Sequence, residues 1–241
     1  MPHDISYFYP NNRLIISLVN SLDNVHLQVA LDLVDIDKAV RIAELAYKGG
    51  ADFVEAGTPL IKSHGVKVIH KLKKRIPDAT IVADMKTIDA ADVEVSIAAE
   101  NGADIVTVLA LSSPETLSLA IDTAHDLGCK IMVDLMNVDN TLDVGREAIR
   151  LGADYLCLHV GVDVQRRRGI TAEDLVNEVS VMAKHFPGKI AVAGGINAER
   201  AKPLVKAGAS IIIVGGAIIK AKDPEEATKI IRKAIEEALT S

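Results

Sequence analysis

One short motif recurs along the chain: Gly50-Ala51-Asp52, Gly102-Ala103-Asp104, Gly152-Ala153-Asp154 and, with serine in the last place, Gly208-Ala209-Ser210. The copies stand 52, 50 and 56 residues apart. A repeat of this length restricts the fold to an array of similar supersecondary units. Each copy follows a segment of helical periodicity and precedes a short apolar run. Glycine ends a helix by taking the left-handed conformation, and the chain then enters the next strand. Two strand–helix units fit within each period, so four copies predict eight units.

The apolar runs read as buried strands are Leu27–Leu31, Phe53–Glu55, Thr80–Asp84, Ile105–Leu109, Lys130–Asp134, Tyr155–His159, Lys189–Ala193 and Ile211–Val214. Periodicity predicts helices over Ile36–Lys48, Val66–Arg75 and Ala90–Asn101, and a final one near Pro224–Leu239. Such alternation means a parallel sheet with crossover helices. An open doubly wound sheet is the rival, but no GxGxxG follows the first strand. The expected fold is therefore α/β, a single (β/α)8 TIM barrel over residues 27–241. Residues 1–26 fall outside the repeat and form an N-terminal extension. It carries Tyr7, Phe8 and Tyr9 out of four tyrosines and three phenylalanines, and is expected to cover the barrel bottom.

Bulk properties agree with a barrel and exclude several other classes. Hydrophobic residues make up 49%, yet aromatics only 3% and tryptophan none. The core must be aliphatic, as barrel layers of Val, Ile and Leu are. Net charge is −6 with the basic residues scattered, which argues against a nucleic-acid partner. No run approaches the roughly 20 apolar residues of a membrane helix, and the start lacks a basic signal-peptide region. Cys129 and Cys157 make no disulfide framework and are placed at opposite barrel ends. A reduced, cytoplasmic protein without a membrane partner is expected.

The strand ends carry the chemistry. Charged or titratable residues close five strands: Asp32, Glu55, Asp84, Asp134 and His159. An unpaired buried charge is costly, and barrel enzymes keep their active sites at this end. Residues two apart on a strand share a face, so Asp84 and Lys86 should both enter the barrel mouth, with Asp89 following at the start of the next helix. A lysine between carboxylates stays protonated and can donate to a developing oxyanion. Glu55, from the neighbouring strand, can share a cation with Asp84, and two carboxylates favour a hard ion such as Mg²⁺. His159 can move a proton near neutral pH. The other six histidines are read as solvated or structural. Gly194-Gly195 and Gly215-Gly216 end the last two strands, the usual barrel phosphate site.

These residues, taken with their neighbours, resemble the orotidine-monophosphate decarboxylase superfamily, and within it the 3-hexulose-6-phosphate synthase branch. The resemblance runs from about Leu27 to Ala238. It is carried by Leu27-Gln-Val-Ala-Leu-Asp32, Val54-Glu-Ala-Gly-Thr-Pro-Leu-Ile-Lys62, Val82-Ala-Asp-Met-Lys-Thr-Ile-Asp89, Gly102-Ala-Asp-Ile-Val-Thr-Val-Leu109, Val133-Asp-Leu135, His159-Val-Gly-Val-Asp163, Val192-Ala-Gly-Gly-Ile196 and Val214-Gly-Gly-Ala217. Glu55 stands where the metal-free nucleotide decarboxylases usually have lysine. Val162 stands where 3-keto-L-gulonate-6-phosphate decarboxylases usually have arginine. Val160 departs from the threonine usual in the synthases.

The resemblance implies a reversible aldol condensation of formaldehyde with D-ribulose 5-phosphate. It implies a Mg²⁺ held by Glu55 and Asp84, with Lys86, His159 and Asp32 as catalytic groups. Asp134 would contact sugar hydroxyls, and the glycine pairs would anchor the phosphate. Asp89 would reach the partner's site in a homodimer. The 3-keto-L-gulonate-6-phosphate decarboxylase activity and a non-catalytic phosphosugar-binding barrel remain the alternatives.

Overall fold

The computed structural model describes residues 25–240. The extension, and the expected cover of the barrel bottom, lie outside the described residues. Eight parallel strands close into a barrel in sequence order: β1 (His26–Leu31), β2 (Phe53–Ala56), β3 (Thr80–Thr87), β4 (Ile105–Leu109), β5 (Lys130–Asp134), β6 (Tyr155–His159), β7 (Ile190–Ala193) and β8 (Ile211–Val214). Gln28 of β1 pairs with Phe53 on one side and Ile213 on the other, which shuts the ring. The barrel expected from the repeat is thus the barrel found, with β3 running three residues further than its apolar run.

Helices α1 (Ile36–Lys48), α2 (Thr58–His64), α3 (Lys67–Arg75), α4 (Ala91–Glu100), α5 (Pro114–Asp126) and α6 (Thr141–Leu151) follow the first five strands. After β6 come α7 (Val162–Arg168), a 3₁₀ turn and α8 (Val176–His185); then α9 (Ala198–Lys206), α10 (Gly216–Ile219) and α11 (Pro224–Thr240). Short helices α2, α7 and α10 had no signal in the periodicity, because four to seven residues hold too few turns to show one. All three sit at the strands' C-terminal ends, and each begins after a glycine: Gly57, Gly161 and Gly215.

The core forms two aliphatic bodies. One fills the barrel with inward residues such as Ala30, Val82, Ile105, Met132, Ala191 and Ile211. The other lies between strands and helices, with Leu27, Ile81, Ile131 and Leu156 fully buried. Among the described residues no helix is long and apolar enough to cross a membrane. Cys129, just before β5, and Cys157, within β6, are both free and buried.

The Gly-Ala-Asp repeat has a structural office at the lower rim. Its glycines take φ of 98°, 93°, 112° and 101°, as a helix exit into a strand requires. The next residue but one then donates its N–H to the strand before: Asp52 to Leu27, Asp104 to Ile81, Asp154 to Ile131 and Ser210 to Ile190. The three aspartates also take a strand N–H in return, from Leu27 at 2.7 Å, Ile81 at 2.7 Å and Ile131 at 2.9 Å. Each carboxylate then meets a basic side chain: Arg232, Lys73 and His125 respectively.

Candidate active site

A cavity of about 990 Å³ opens at the C-terminal ends of the strands. It is lined by every residue singled out from the sequence except Asp89. Asp89 is exposed beyond the cavity rim, because β3 continues to Thr87 and the chain turns away through Ala90 at φ 51°. The contribution expected of Asp89 is therefore not made to its own chain's cavity.

Lys86 does reach the mouth beside Asp84, but not by simple alternation. The register between β3 and β4 shifts between Ala83 and Thr87, and Lys86 takes φ 50°. Such a bulge re-aims a side chain. The ammonium ends 2.8 Å from Asp134 and 3.2 Å from Asp84. Burial works against its charge, yet Asp84 and Asp134 outweigh that and hold the amine above the ordinary lysine range.

Asp134 is the hub of this side. It is 3% exposed, and it accepts from Lys86, from His159 Nδ1 at 3.0 Å and from the Met136 N–H at 3.0 Å. Burial opposes its charge, but His159 and Lys86 hold the carboxyl down at about 2. An ionised Asp134 requires Nδ1 to be the protonated nitrogen, so a neutral His159 has Nε2 free as a base.

The opposite side is rich in uncompensated negative charge. Asp84 is buried and accepts from Thr58 Oγ1 at 2.7 Å and Thr107 Oγ1 at 2.8 Å. Glu55 is buried with a single donor, the Gln28 amide. Burial, then Asp84 and Asp32, push the Glu55 carboxyl well above the ordinary range. Asp32 opens onto the cavity but is walled by protein. Its carboxyl is raised by that burial and by Asp84, against the pull of Lys86 and His159. Gly57 lets Asp32 stand there, since any Cβ at that position would collide with the Asp32 carboxylate.

This corner fits a hard divalent cation. Its donors are all oxygens, they repel one another, and the buried Gln28 Oε1 beside them has no partner. Asp134, Cys157 and His159 form a trio whose metal-ligating atoms all lie within 4.8 Å of one another. There the Lys86 ammonium already sits on the Asp134 oxygen that His159 uses. Burial and Asp134 also push the Cys157 thiol well above its ordinary range.

The far end of the cavity holds the glycine pairs. Gly194 and Gly195 have φ of 123° and 67°, and a Cβ on Gly194 would lie 2.7 Å from the Val160 carbonyl. Arg200, on the first turn of α9, donates to the Gly195 carbonyl at 2.8 Å. Lys220 lines the cavity beside Gly216. An anion there would meet backbone and cationic side chains together.

Residues 25–231 match the family described as "Orotidine 5'-phosphate decarboxylase / HUMPS family". The chain belongs to this family. A family relative from Staphylococcus epidermidis, named 3-hexulose-6-phosphate synthase, is 38% identical over 212 residues, covering 88% of this chain and 99% of its own. A crystal structure of 3-hexulose-6-phosphate synthase is 36% identical with a TM-score of 0.82, covering 87% of this chain and 99% of its own. A crystal structure of KGPDC from Streptococcus mutans is 26% identical with a TM-score of 0.83, covering 89% of this chain and 98% of its own.

Within this family site, four functional neighbours escaped the sequence reading. Gln28, Ala30 and Asp32 alternate onto one face of β1, so a polar residue at position 28 of an apolar strand was a usable signal. Thr107 in β4 was the same kind of signal. Thr58 opens α2 just before a proline, which hid its bond to Asp84. Arg200 lies on a helix with ordinary amphipathic spacing and gave no sign.

Proposed function

We propose that the protein catalyses the reversible aldol condensation of formaldehyde with D-ribulose 5-phosphate to D-arabino-3-hexulose 6-phosphate, with Mg²⁺ as cofactor. The observation that carries this is the division of the cavity. The Lys86–Asp134–His159 set handles protons on one side, the Asp32–Glu55–Asp84 corner gathers negative charge on the other, and the glycine pairs lie beyond. The high identity to relatives named synthases, over nearly their whole length, supports the same reading. Val162, where the decarboxylases of 3-keto-L-gulonate 6-phosphate usually have arginine, weighs against that activity.

Glu55 and Asp84 would hold the metal, with Asp32 beside them. When bound there, Mg²⁺ would supply Lewis-acid polarisation of the ketose carbonyl. His159 Nε2 removes a proton from C1 of the pentulose. Asp134 steadies the resulting imidazolium through Nδ1. Lys86 donates to the enediolate oxygen, where negative charge develops. The enediolate carbon then attacks formaldehyde, forming the new C–C bond, and the aldehyde oxygen takes up a proton to become the product hydroxyl. Gly194, Gly195, Gly215 and Gly216 bind the phosphate far from the reacting carbon, with Arg200 and Lys220 adding charge. Binding energy there can be used to orient C1.

The test is condensation of formaldehyde with ribulose 5-phosphate, measured with Mg²⁺ and again after EDTA. Activity that chelation abolishes and Mg²⁺ restores is expected. No condensation, or full activity in EDTA, contradicts the proposal. Faster carbon dioxide release from 3-keto-L-gulonate 6-phosphate would assign the decarboxylase instead.

A further inference from the structure

Gln28 stands apart from everything else in the barrel interior. It is fully buried on β1, one inward layer below Ala30, and lies at the floor of the cavity. Its partners in the strand register are Phe53 on β2 and Ile213 on β8, both buried and apolar. A buried amide in such surroundings is costly unless both its ends are satisfied. Only one end is. Nε2 donates to Glu55, while Oε1 has no partner among the described residues.

Asp84 and Asp134 do not depend on a single neighbour. Asp84 is fixed by two threonine hydroxyls and Lys86. Asp134 is fixed by a lysine, a histidine and a backbone N–H. Among the described residues Glu55 has Gln28 alone. A methionine or leucine in place of Gln28 would fill the same space without an unsatisfied oxygen, so packing does not explain the amide.

We propose that Gln28 is a positioning residue: its amide N–H fixes the Glu55 carboxylate in the orientation that binds the cation, and its free Oε1 accepts from a water or hydroxyl carried in with that cation. The proposal rests on the metal reading of Glu55 given above. It assigns to the cavity floor a residue that would orient a ligand of the cation without itself being one.

The experiment titrates the intact protein with Mn²⁺ alone, read by loss of the free-ion EPR signal, and measures Tm in EDTA. For Gln28→Met, the Mn²⁺ dissociation constant should rise about 10- to 100-fold, the usual effect of losing a group that orients a ligand. Tm should change little, because losing the unpartnered oxygen offsets losing the donor to Glu55. A purely structural glutamine would do the reverse, and lowered Tm with unchanged Mn²⁺ affinity overturns the proposal. Unchanged affinity with unchanged Tm overturns it equally. Gln28→Asn keeps the amide but shortens its reach by one methylene. It should lose Mn²⁺ affinity too, and it decides the matter if the methionine variant does not fold. Glu55→Gln separates the two readings. If it binds Mn²⁺ as the parent does, the metal reading of Glu55 fails and this proposal with it; if it alone loses binding, only the role of Gln28 is refuted.

Discussion

At the lower rim Asp104 takes the Ile81 N–H and the Lys73 ammonium, whereas at the upper rim Glu55 has one amide and faces two other carboxylates. The same contrast holds for Asp52. Burial raises its carboxyl, but His26, the Leu27 N–H and Arg232 bring it below the ordinary range. Asp32, on the strand that Asp52 bonds at its other end, is raised. Carboxylates below are matched with donors one for one, and they fasten one strand to the next. Above, Glu55 and Asp32 are gathered beside Asp84 faster than cations are supplied. A surplus that folding alone would remove is the mark of a site awaiting a ligand.

The largest expected effect comes from removing the ammonium that lies between Asp84 and Asp134. Lys86→Ala withdraws the donor to the developing oxyanion and the charge between Asp84 and Asp134. Condensation kcat should fall about 100- to 1000-fold, the range for losing such a donor. A variant as active as the parent would leave Lys86 a structural counter-ion and make the two rims alike.

At the lower rim the balance should tilt the other way. Asp104→Ala leaves the Ile81 N–H and Lys73 without their acceptor. A loss of about 2 kcal/mol is expected, or a Tm lowered by about 4–8 °C at this chain length. Because the lower rim lies away from the cavity, kcat/KM at 25 °C should match the parent's. Lost activity in a well-folded Asp104→Ala protein would break the division between the rims.

Both rims left traces in the sequence, but not equally. Gly-Ala-Asp is local, repeated and tied to a backbone conformation, so it announced the eight-unit barrel. Upper-rim charges were legible because each interrupts an apolar strand. What stayed hidden depends on three-dimensional neighbours. The bulge that aims Lys86 needs a left-handed lysine, which nothing in Asp84-Met85-Lys86 betrays. The bonds from Thr58 and Thr107 to Asp84 cross 26 and 23 residues. Asp89, expected to reach a partner's site, is carried past its own chain's cavity by the extra length of β3.

The smallest effect is a pH dependence to which Glu55 and Asp52 should contribute with opposite sign. A carboxyl lowered in the folded state, such as Asp52 or Asp134, contributes stability that is present above its unfolded pKa and is lost as acid protonates it. A raised one does the reverse. Glu55 binds its proton more tightly folded than unfolded, so its contribution is full below the unfolded value and is lost as pH rises through the folded one. Glu55→Gln makes this visible in EDTA, since the introduced amide carries no charge at any pH and can donate to the free Gln28 oxygen. At pH 8 the variant should melt above the parent, by less than about 4 °C, the shift near 1 kcal/mol at this size. The gap should narrow as pH falls toward the ordinary glutamate range, where the parent's Glu55 is also neutral. A gap that is constant with pH, or one of opposite sign, would mean that Glu55 sits as comfortably in its corner as Asp104 does at the other end of the barrel.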